Sequence, residues 1–261
     1  MKALESRQNP ELKRLARLMS HTRERRESGL MVIEGLHLVG AALDAEIALD
    51  ALYVNAAAEE RVEVQALLSR IARRQPALEP RCVPESALAA VTALTSPAEV
   101  LAVLPRPQGA APVGDFAVFF EDVQDPGNLG TLLRASAAAG ASLALVSKTG
   151  TDPFSPKVLR AGMGAHFVLP IRESGDLPRD FRAFAGKRLA AVPTSDSPLW
   201  DVDLTGPVAL AFGNEGQGLS PAMLAAATSC VTIPMPGSAE SLNVAMAATV
   251  CLFEVVRQRR R

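Results

Sequence analysis

The second half of this chain alternates short apolar runs with helix-like segments, and that alternation constrains the fold more than any other feature. "FAVFFEDV" (116–123), "SLALVS" (142–147), "RLAAV" (188–192) and "VALAFG" (208–213) are built on consecutive apolar residues. They lack the in-and-out alternation of a strand with one face in water. Runs of this kind belong in a parallel sheet covered on both faces. "FVLPI" (167–171) and "CVTIPM" (230–235) read the same way. Helices are expected over 128–139, from Pro156 to about Gly162, over 177–185, after Ser220-Pro221, and from Ser241 onward. Aromatic residues make up only 4% of the chain, so the core rests on Leu, Val and Ala. That favours helices packed on a sheet over a β-sandwich.

The first half reads as a smaller α/β unit. Asn9-Pro10 has the form of a helix cap followed by proline at the first helical position, and Leu12, Leu15, Leu18 and Met19 supply the apolar stripe behind it. A charged turn (21–29) leads to a strand, "LMVIEG" (30–35), and a helix, "LHLVGAALDA". Strand "ALYVN" (51–55) and a helix over 59–74 follow, the latter with Val62, Leu67, Leu68 and Ile71 as its apolar positions. "RCVP" and "VLAVLP" are further strands, with a short helix from Glu85 to Leu94 between them. "PRPQGAAPVGD" then breaks the pattern with prolines and glycines and no hydrophobic period, which marks a linker. The expected organisation is a first domain over 1–105, a linker over 106–114 and a second domain over 115–261.

The formal net charge of −1 suggests no polyanion partner by itself. Residues 1–30 nevertheless hold eight basic and four acidic side chains, a local +4, and the chain closes on Arg257, Arg259, Arg260 and Arg261. Two basic ends allow a local anionic partner such as nucleic acid; solvated faces are the plainer alternative. The three cysteines, Cys82, Cys230 and Cys251, are scattered, as are the three histidines. No metal site is expected from them. The first residues show no apolar core of signal-peptide type, and no unbroken apolar stretch approaches the ~20 residues of a membrane span. A reducing, cytoplasmic location and no membrane partner are the expectation.

Ligands of parallel α/β sheets sit beyond the carboxyl ends of the strands. Three loops there carry chemistry. In "EDVQDPGNLGTLLRASAAAG" (121–140), Asn128 is placed to cap a helix and Arg134 falls about two turns further on. A helix start beside an arginine can hold an anion, although capping alone explains Asn128. In "AFGNEGQGLS" (211–220), Gly213, Gly216 and Gly218 surround Asn214, Glu215 and Gln217. The order GxxGxG is not the dinucleotide fingerprint. It suits either a flexible turn capped by Ser220 or a backbone cradle for a small ligand. In "IPMPGSAESLNVAMA", Pro234, Pro236 and Gly237 shape a loop that cannot become helix before Ser241-Leu242-Asn243.

Taken together, "DPGNLGTLLRAS", "GNEGQGLS" and "IPMPGSAESLNVAMA" resemble in order and spacing the three motifs of the SpoU (TrmH) family of RNA ribose 2′-O-methyltransferases, of the SPOUT class. The resemblance spans roughly 115–259, and "SPKVLRAGMGAHFVLPI" is similar to the family's segment between its first two motifs. "SRQNPELKRLARL" with "LMVIEG" resembles, more weakly, the ribosomal-protein-like RNA-binding domain of members that act on ribosomal RNA.

The resemblance implies a deep trefoil knot holding S-adenosylmethionine in its last loops. It implies that Gly213, Ile233 and Leu242 touch the cofactor, and that Leu210, Ala211, Asn214, Gly218 and Met235 line the adenosine pocket. Ser241 and Asn243 would support that loop and the reacting ribose, while Arg134, Asn128 and Glu215 would face the RNA. Family proposals give removal of the hydroxyl proton to the motif-one arginine. A guanidinium holds its proton and is a poor base, so holding a phosphate and stabilising the developing alkoxide is the role expected of Arg134. From Val244 to Phe253 every residue but Thr249 is apolar. The last helix should therefore be buried nearly all round, one face on the sheet and the other on a partner subunit, as in the family's homodimers. The expected substrate is large-subunit ribosomal RNA. The alternatives are transfer RNA and a non-catalytic RNA-binding protein on the same fold.

Overall fold

The apolar runs of the second half do form one parallel sheet, and the first half forms a separate mixed one. The computed structural model describes residues 2–4, 8–92, 94, 96–107 and 114–260. Most of the expected linker, 108–113, lies outside the described residues. The chain divides into two compact units, Met1–Arg106 with Phe154–Phe167, and Pro107–Pro153 with Val168–Arg261.

In the first unit the elements run β1 (Lys2–Ala3), α1 (Pro10–Ser20), α2 (Thr22–Ser28), β2 (Leu30–Glu34), α3 (Leu36–Asp44), β3 (Ala51–Asn55), α4 (Val62–Arg74), β4 (Arg81–Val83), α5 (Glu85–Ala89) and β5 (Val100–Pro105). The sheet order is β1-β4-β3-β5-β2, with β5 antiparallel to both its neighbours. Asn9 caps α1 as its sequence suggests: Oδ1 accepts from the Glu11 N–H at 2.8 Å, with Pro10 at the first position. Leu12, Leu15, Leu18 and Met19 form its buried stripe. The edge strand β1 has no periodic signal and is not legible in sequence.

Three expectations need correction here. The charged turn over 21–29 is the helix α2, closed by Gly29 in the left-handed conformation. In α4 the buried positions are Val64, Leu67 and Ile71, and Val62 stands 81% exposed at the helix start. The basic surplus is also smaller at the surface than the count implies. Arg25 is buried and donates to the Leu18 carbonyl at 2.6 Å; the Arg23–Glu27 and Arg17–Glu24 pairs are already balanced within the net count.

The second unit holds β6 (Phe116–Phe120), α6 (Pro126–Ala138) and β7 (Leu143–Ser147). Next comes α7 (Pro156–Gly162), which packs on β2 in the first unit. The chain then returns through β8 (Ile171–Ser174), α8 (Leu177–Arg182), β9 (Lys187–Ala191), β10 (Val208–Phe212), α9 (Pro221–Ala226), β11 (Ser229–Val231) and α10 (Val244–Arg259). The all-parallel order is β11-β9-β10-β6-β7-β8, and every residue of β6, β7 and β10 is buried. Helices α6 and α10 pack together, as do α8 and α9. Phe119 meets Phe181 edge-on at 4.8 Å within the α8/α9 core.

Two expected strands are displaced. Residues 165–167 form a 3-10 turn, Val168 is 72% exposed, and the strand begins only at Ile171. The strand expected over 230–235 ends at Val231, because Pro234 and Pro236 cannot donate to a ladder. Ile233 and Met235 are thereby released into a loop.

An ion pair ties α7 to β2, beside the buried Val158 and Leu159. Glu34, whose side chain is 1% exposed, accepts from Arg160 Nη1 at 2.5 Å and from Thr92 Oγ1. Removing one partner of a buried pair strands the other charge. Arg160→Ala should therefore cost the first unit about 3 kcal/mol, the low end for such losses because Arg160 is partly exposed. Urea unfolding followed by the absorbance of Tyr53, the chain's one tyrosine, would check it. An unchanged midpoint would show that α7 docks without the pair.

Candidate functional site

Three loops at the carboxyl ends of the second sheet converge. Each is shaped by a local rule and then tied to the others by side chains. The loop after β6 enters α6 through Asp125-Pro126. Asp125 is the cap, its Oδ1 accepting the Asn128 N–H at 2.7 Å. This corrects the expectation that Asn128 caps the helix and leaves the Asn128 side chain available for other partners.

The loop after β10 closes on itself through paired Asn214–Gly218 backbone hydrogen bonds of 3.1 and 2.9 Å. Gly218 has φ +70°, a conformation that side chains resist. Asn214 Oδ1 accepts the N–H groups of Gly216 and Gln217 at 2.8 and 3.0 Å, and its Nδ2 donates to the Asp122 carbonyl at 3.0 Å. Ser220 caps α9, donating its N–H and hydroxyl to the two Glu121 oxygens at 2.7 Å each. Glu121 escaped the sequence reading; its only signal is a charge at the end of an apolar strand.

The loop before α10 ends at Asn243. Its Oδ1 accepts from the Ala245 and Met246 N–H groups at 2.9 and 3.3 Å and caps the helix. Ser241 and Leu242 precede the helix and are exposed.

Side chains then join the loops. Asn243 Nδ2 donates to Asn128 Oδ1 at 3.0 Å, and Asn128 Nδ2 donates to Glu215 Oε1 at 3.0 Å. Glu215 also accepts the Asp125 N–H and the Gln124 N–H, each at 3.1 Å. Partial burial pushes the Glu215 carboxyl up, but these hydrogen bonds outweigh it and hold the group below its ordinary value. Glu215 is therefore ionised at neutral pH.

Between the second and third loops lies a cavity of about 270 Å³, near the lower end of small-molecule sites. Of the residues expected to hold a cofactor, Gly213, Asn214, Gly218, Ile233, Met235 and Leu242 line it. Glu215 and Ser241 line it as well. Leu210 and Ala211 do not: both are fully buried within β10, and the Ala211 side chain belongs to the α8/α9 core. The wall also takes in Val192, Thr232, Val244 and Cys251, which the sequence reading did not single out. Burial pushes the Cys251 thiol up to about 12, so it is a neutral wall atom and not a nucleophile. The residues fit a cationic adenosyl ligand, with apolar walls, backbone groups and one carboxylate. No basic side chain in the wall could meet a pyrophosphate.

Arg134 stands apart from the cavity wall. It is exposed and makes no hydrogen bond or ion pair among the described residues. Two turns into α6, it is free for an anionic ligand. No group of His, Cys, Asp and Glu among the described residues could hold a metal ion, and no described helix is long and apolar enough to cross a membrane.

Comparison with known proteins matches this region. Residues 115–253 fit the model of the SpoU rRNA Methylase family, and residues 9–102 fit that of the MRM3-like substrate binding domain. An uncharacterized tRNA/rRNA methyltransferase of Synechocystis is 34% identical over 98% of this chain and 94% of its own length. The 23S rRNA (guanosine(2553)-2′-O)-methyltransferase RlmP of Bacillus subtilis is 30% identical over 98% and 99%. The crystal structure of the SpoU methyltransferase AviRb from Streptomyces viridochromogenes in complex with AdoMet covers 97% of this chain and 99% of AviRb. Its TM-score is 0.82 at 29% identity.

Proposed function

The chain belongs to the SpoU rRNA Methylase family, and on that premise we propose that it methylates a ribose 2′-hydroxyl of large-subunit ribosomal RNA with S-adenosylmethionine. The observation that carries the proposal is the joining of three distant loops: the second and third wall one cavity, and Asn128 of the first is bonded to Glu215 and to Asn243 beside it. Gly213, Ile233, Met235 and Leu242 would hold the cofactor. Bound there, S-adenosylmethionine supplies a methyl group on a sulfonium centre and leaves as S-adenosylhomocysteine.

The chain's own task is alignment and charge. Arg134 holds a phosphate beside the acceptor ribose and stabilises the alkoxide as it develops. It cannot take the hydroxyl proton, because a guanidinium stays protonated. Glu215 already accepts three hydrogen bonds, so the proton departs to water. The Glu215 carboxylate adds a negative charge to the cavity wall and would favour a cationic ligand there.

The first unit binds the RNA in this reading, which its match to a substrate-binding model supports. Similarity to RlmP over nearly the whole of both chains favours ribosomal over transfer RNA. The chain acts in the cytoplasm as a homodimer. Met246 and Phe253 of α10 are 64% and 45% exposed, one stripe of the helix that the sequence led us to expect buried all round. A second subunit would cover them. The loop over 232–243 would be the thread of the family's trefoil knot.

Calorimetric titration should detect S-adenosylmethionine binding and no NAD binding. RNA from cells with the gene should carry a 2′-O-methyl group that is absent from cells without it. NAD binding in place of S-adenosylmethionine would overturn the reading.

A further inference from the structure

The hydrogen bonds joining Asn243, Asn128 and Glu215 have a fixed direction. Asn243 Oδ1 is committed to two N–H groups of the α10 start, so its Nδ2 must point at Asn128. Asn128 must then present Oδ1 to Asn243, which turns its own Nδ2 to Glu215. Glu215 must be ionised to accept from Asn128 and from two backbone N–H groups. Both ends of this chain of bonds adjoin the cavity wall, which contains Glu215 at one end and Ser241-Leu242, next to Asn243, at the other. Its middle member sits in the first turn of α6, the helix that carries Arg134.

We infer that Asn243, Asn128 and Glu215 are positioning residues: a polarised relay that fixes the first turn of α6, and through it Arg134, against the wall of the cofactor cavity. This rests on the methyltransferase reading and gives the three residues a role other than contact with RNA. A broken relay lets α6 drift from the cavity, so turnover falls more than the affinity for either ligand. If the residues served only to keep the chain folded, lost activity would follow lost melting temperature. If the relay acts as described, kcat falls in variants that still melt and bind S-adenosylhomocysteine as the wild type does.

The test exchanges the polarity. Asn128→Asp sets a second carboxylate against Glu215 where an amide donated at 3.0 Å. Glu215→Gln removes the charge and turns one acceptor into a donor. The double variant again pairs a carboxylate with an amide, in reversed order, and the carboxylate now at position 128 can still accept from Asn243; the Asp125 N–H, which shares Glu215 Oε1, loses its acceptor, so the recovery is partial. Each single variant should lose on the order of tenfold to a hundredfold in kcat, the size of one hydrogen bond to a charged group. The double variant should recover at least several-fold over Asn128→Asp at pH 8.

Asn128→Asp should also regain activity as pH falls toward 6, because two adjacent carboxylates hold a proton between them. The charged groups around that oxygen are Glu215, from the loop after β10, and Asp125, at the α6 cap. The first turn of α10 brings none. Glu215→Gln should show no such regain. S-adenosylhomocysteine affinity and melting temperature, measured on all three variants, separate misfolding from misalignment. With an active wild type, a double variant no better than Asn128→Asp, or a pH-independent loss in Asn128→Asp, would overturn the relay. An inactive wild type would instead overturn the methyltransferase reading.

Discussion

Arg134→Ala should lower methyl transfer by about 10²- to 10³-fold, the cost of removing one donor aimed at a developing oxyanion. Affinity for S-adenosylmethionine should stay within about twofold, since the loss belongs to the transition state alone. Both halves of the expectation follow from where Arg134 sits. It lies on the exposed side of α6, outside the cavity wall, and makes no hydrogen bond or ion pair among the described residues. Nothing in the folded chain depends on its guanidinium, so stability should move by no more than about 0.5 kcal/mol. Arg134→Lys keeps the charge but loses the planar fork, and should recover only part of the rate. Single-turnover kinetics on a ribosomal RNA fragment, with calorimetry for the cofactor, would measure the two quantities separately. A matching fall in cofactor affinity would place Arg134 in the cavity wall and defeat the assignment.

What the sequence disclosed was the part written locally. Asn9-Pro10 and Ser220-Pro221 announced their helix starts correctly, because a cap and its helix are neighbours in the chain. Asp125-Pro126 has the same form, but with Gly127 behind it the tripeptide also reads as a turn, and that reading puts the cap on Asn128 instead of Asp125. The parallel sheet was legible because a strand covered on both faces must be apolar throughout. The convergence of the three loops was legible only through their order and spacing as motifs.

The joints between elements were not legible. Asn243 reaches Asn128 across 115 residues and Asn128 reaches Glu215 across 87, separations that leave no periodic or local trace. The docking of α7 on β2 is equally silent. Its helix signal was plain, yet its partner Glu34 lies 126 residues away in the first unit. A truncation at residue 105 would therefore strip Phe154–Phe167 of its packing, and the resulting fragment would not isolate the methyltransferase cleanly.

Gly213→Ala should abolish measurable cofactor binding or weaken it at least tenfold, an effect that the glycine pattern alone could not have placed. A methyl group at 213 would stand closer than 3.0 Å to the Gly218 carbonyl carbon, to its oxygen and to the Leu219 nitrogen. All three are backbone atoms and cannot rotate aside. The turn from Asn214 to Gly218 must open, and with it go the Asn214 tie to Asp122 and the seat of Glu215. Overpacking of this kind costs about 1–3 kcal/mol. At about 2–4 °C per kcal/mol for a chain of this size, the melting temperature should fall by several degrees. Gly216→Ala is the control. Its methyl group would meet only Asn214 Oδ1 at 3.6 Å, an ordinary contact, and its N–H would still reach the same oxygen. The two glycines lie in one loop and both line the cavity, so a general need for loop flexibility would penalise them alike. The physical argument separates them: Gly213 is there because two stretches of backbone touch, and Gly216 is not. Equal cofactor affinity in the two variants would refute it.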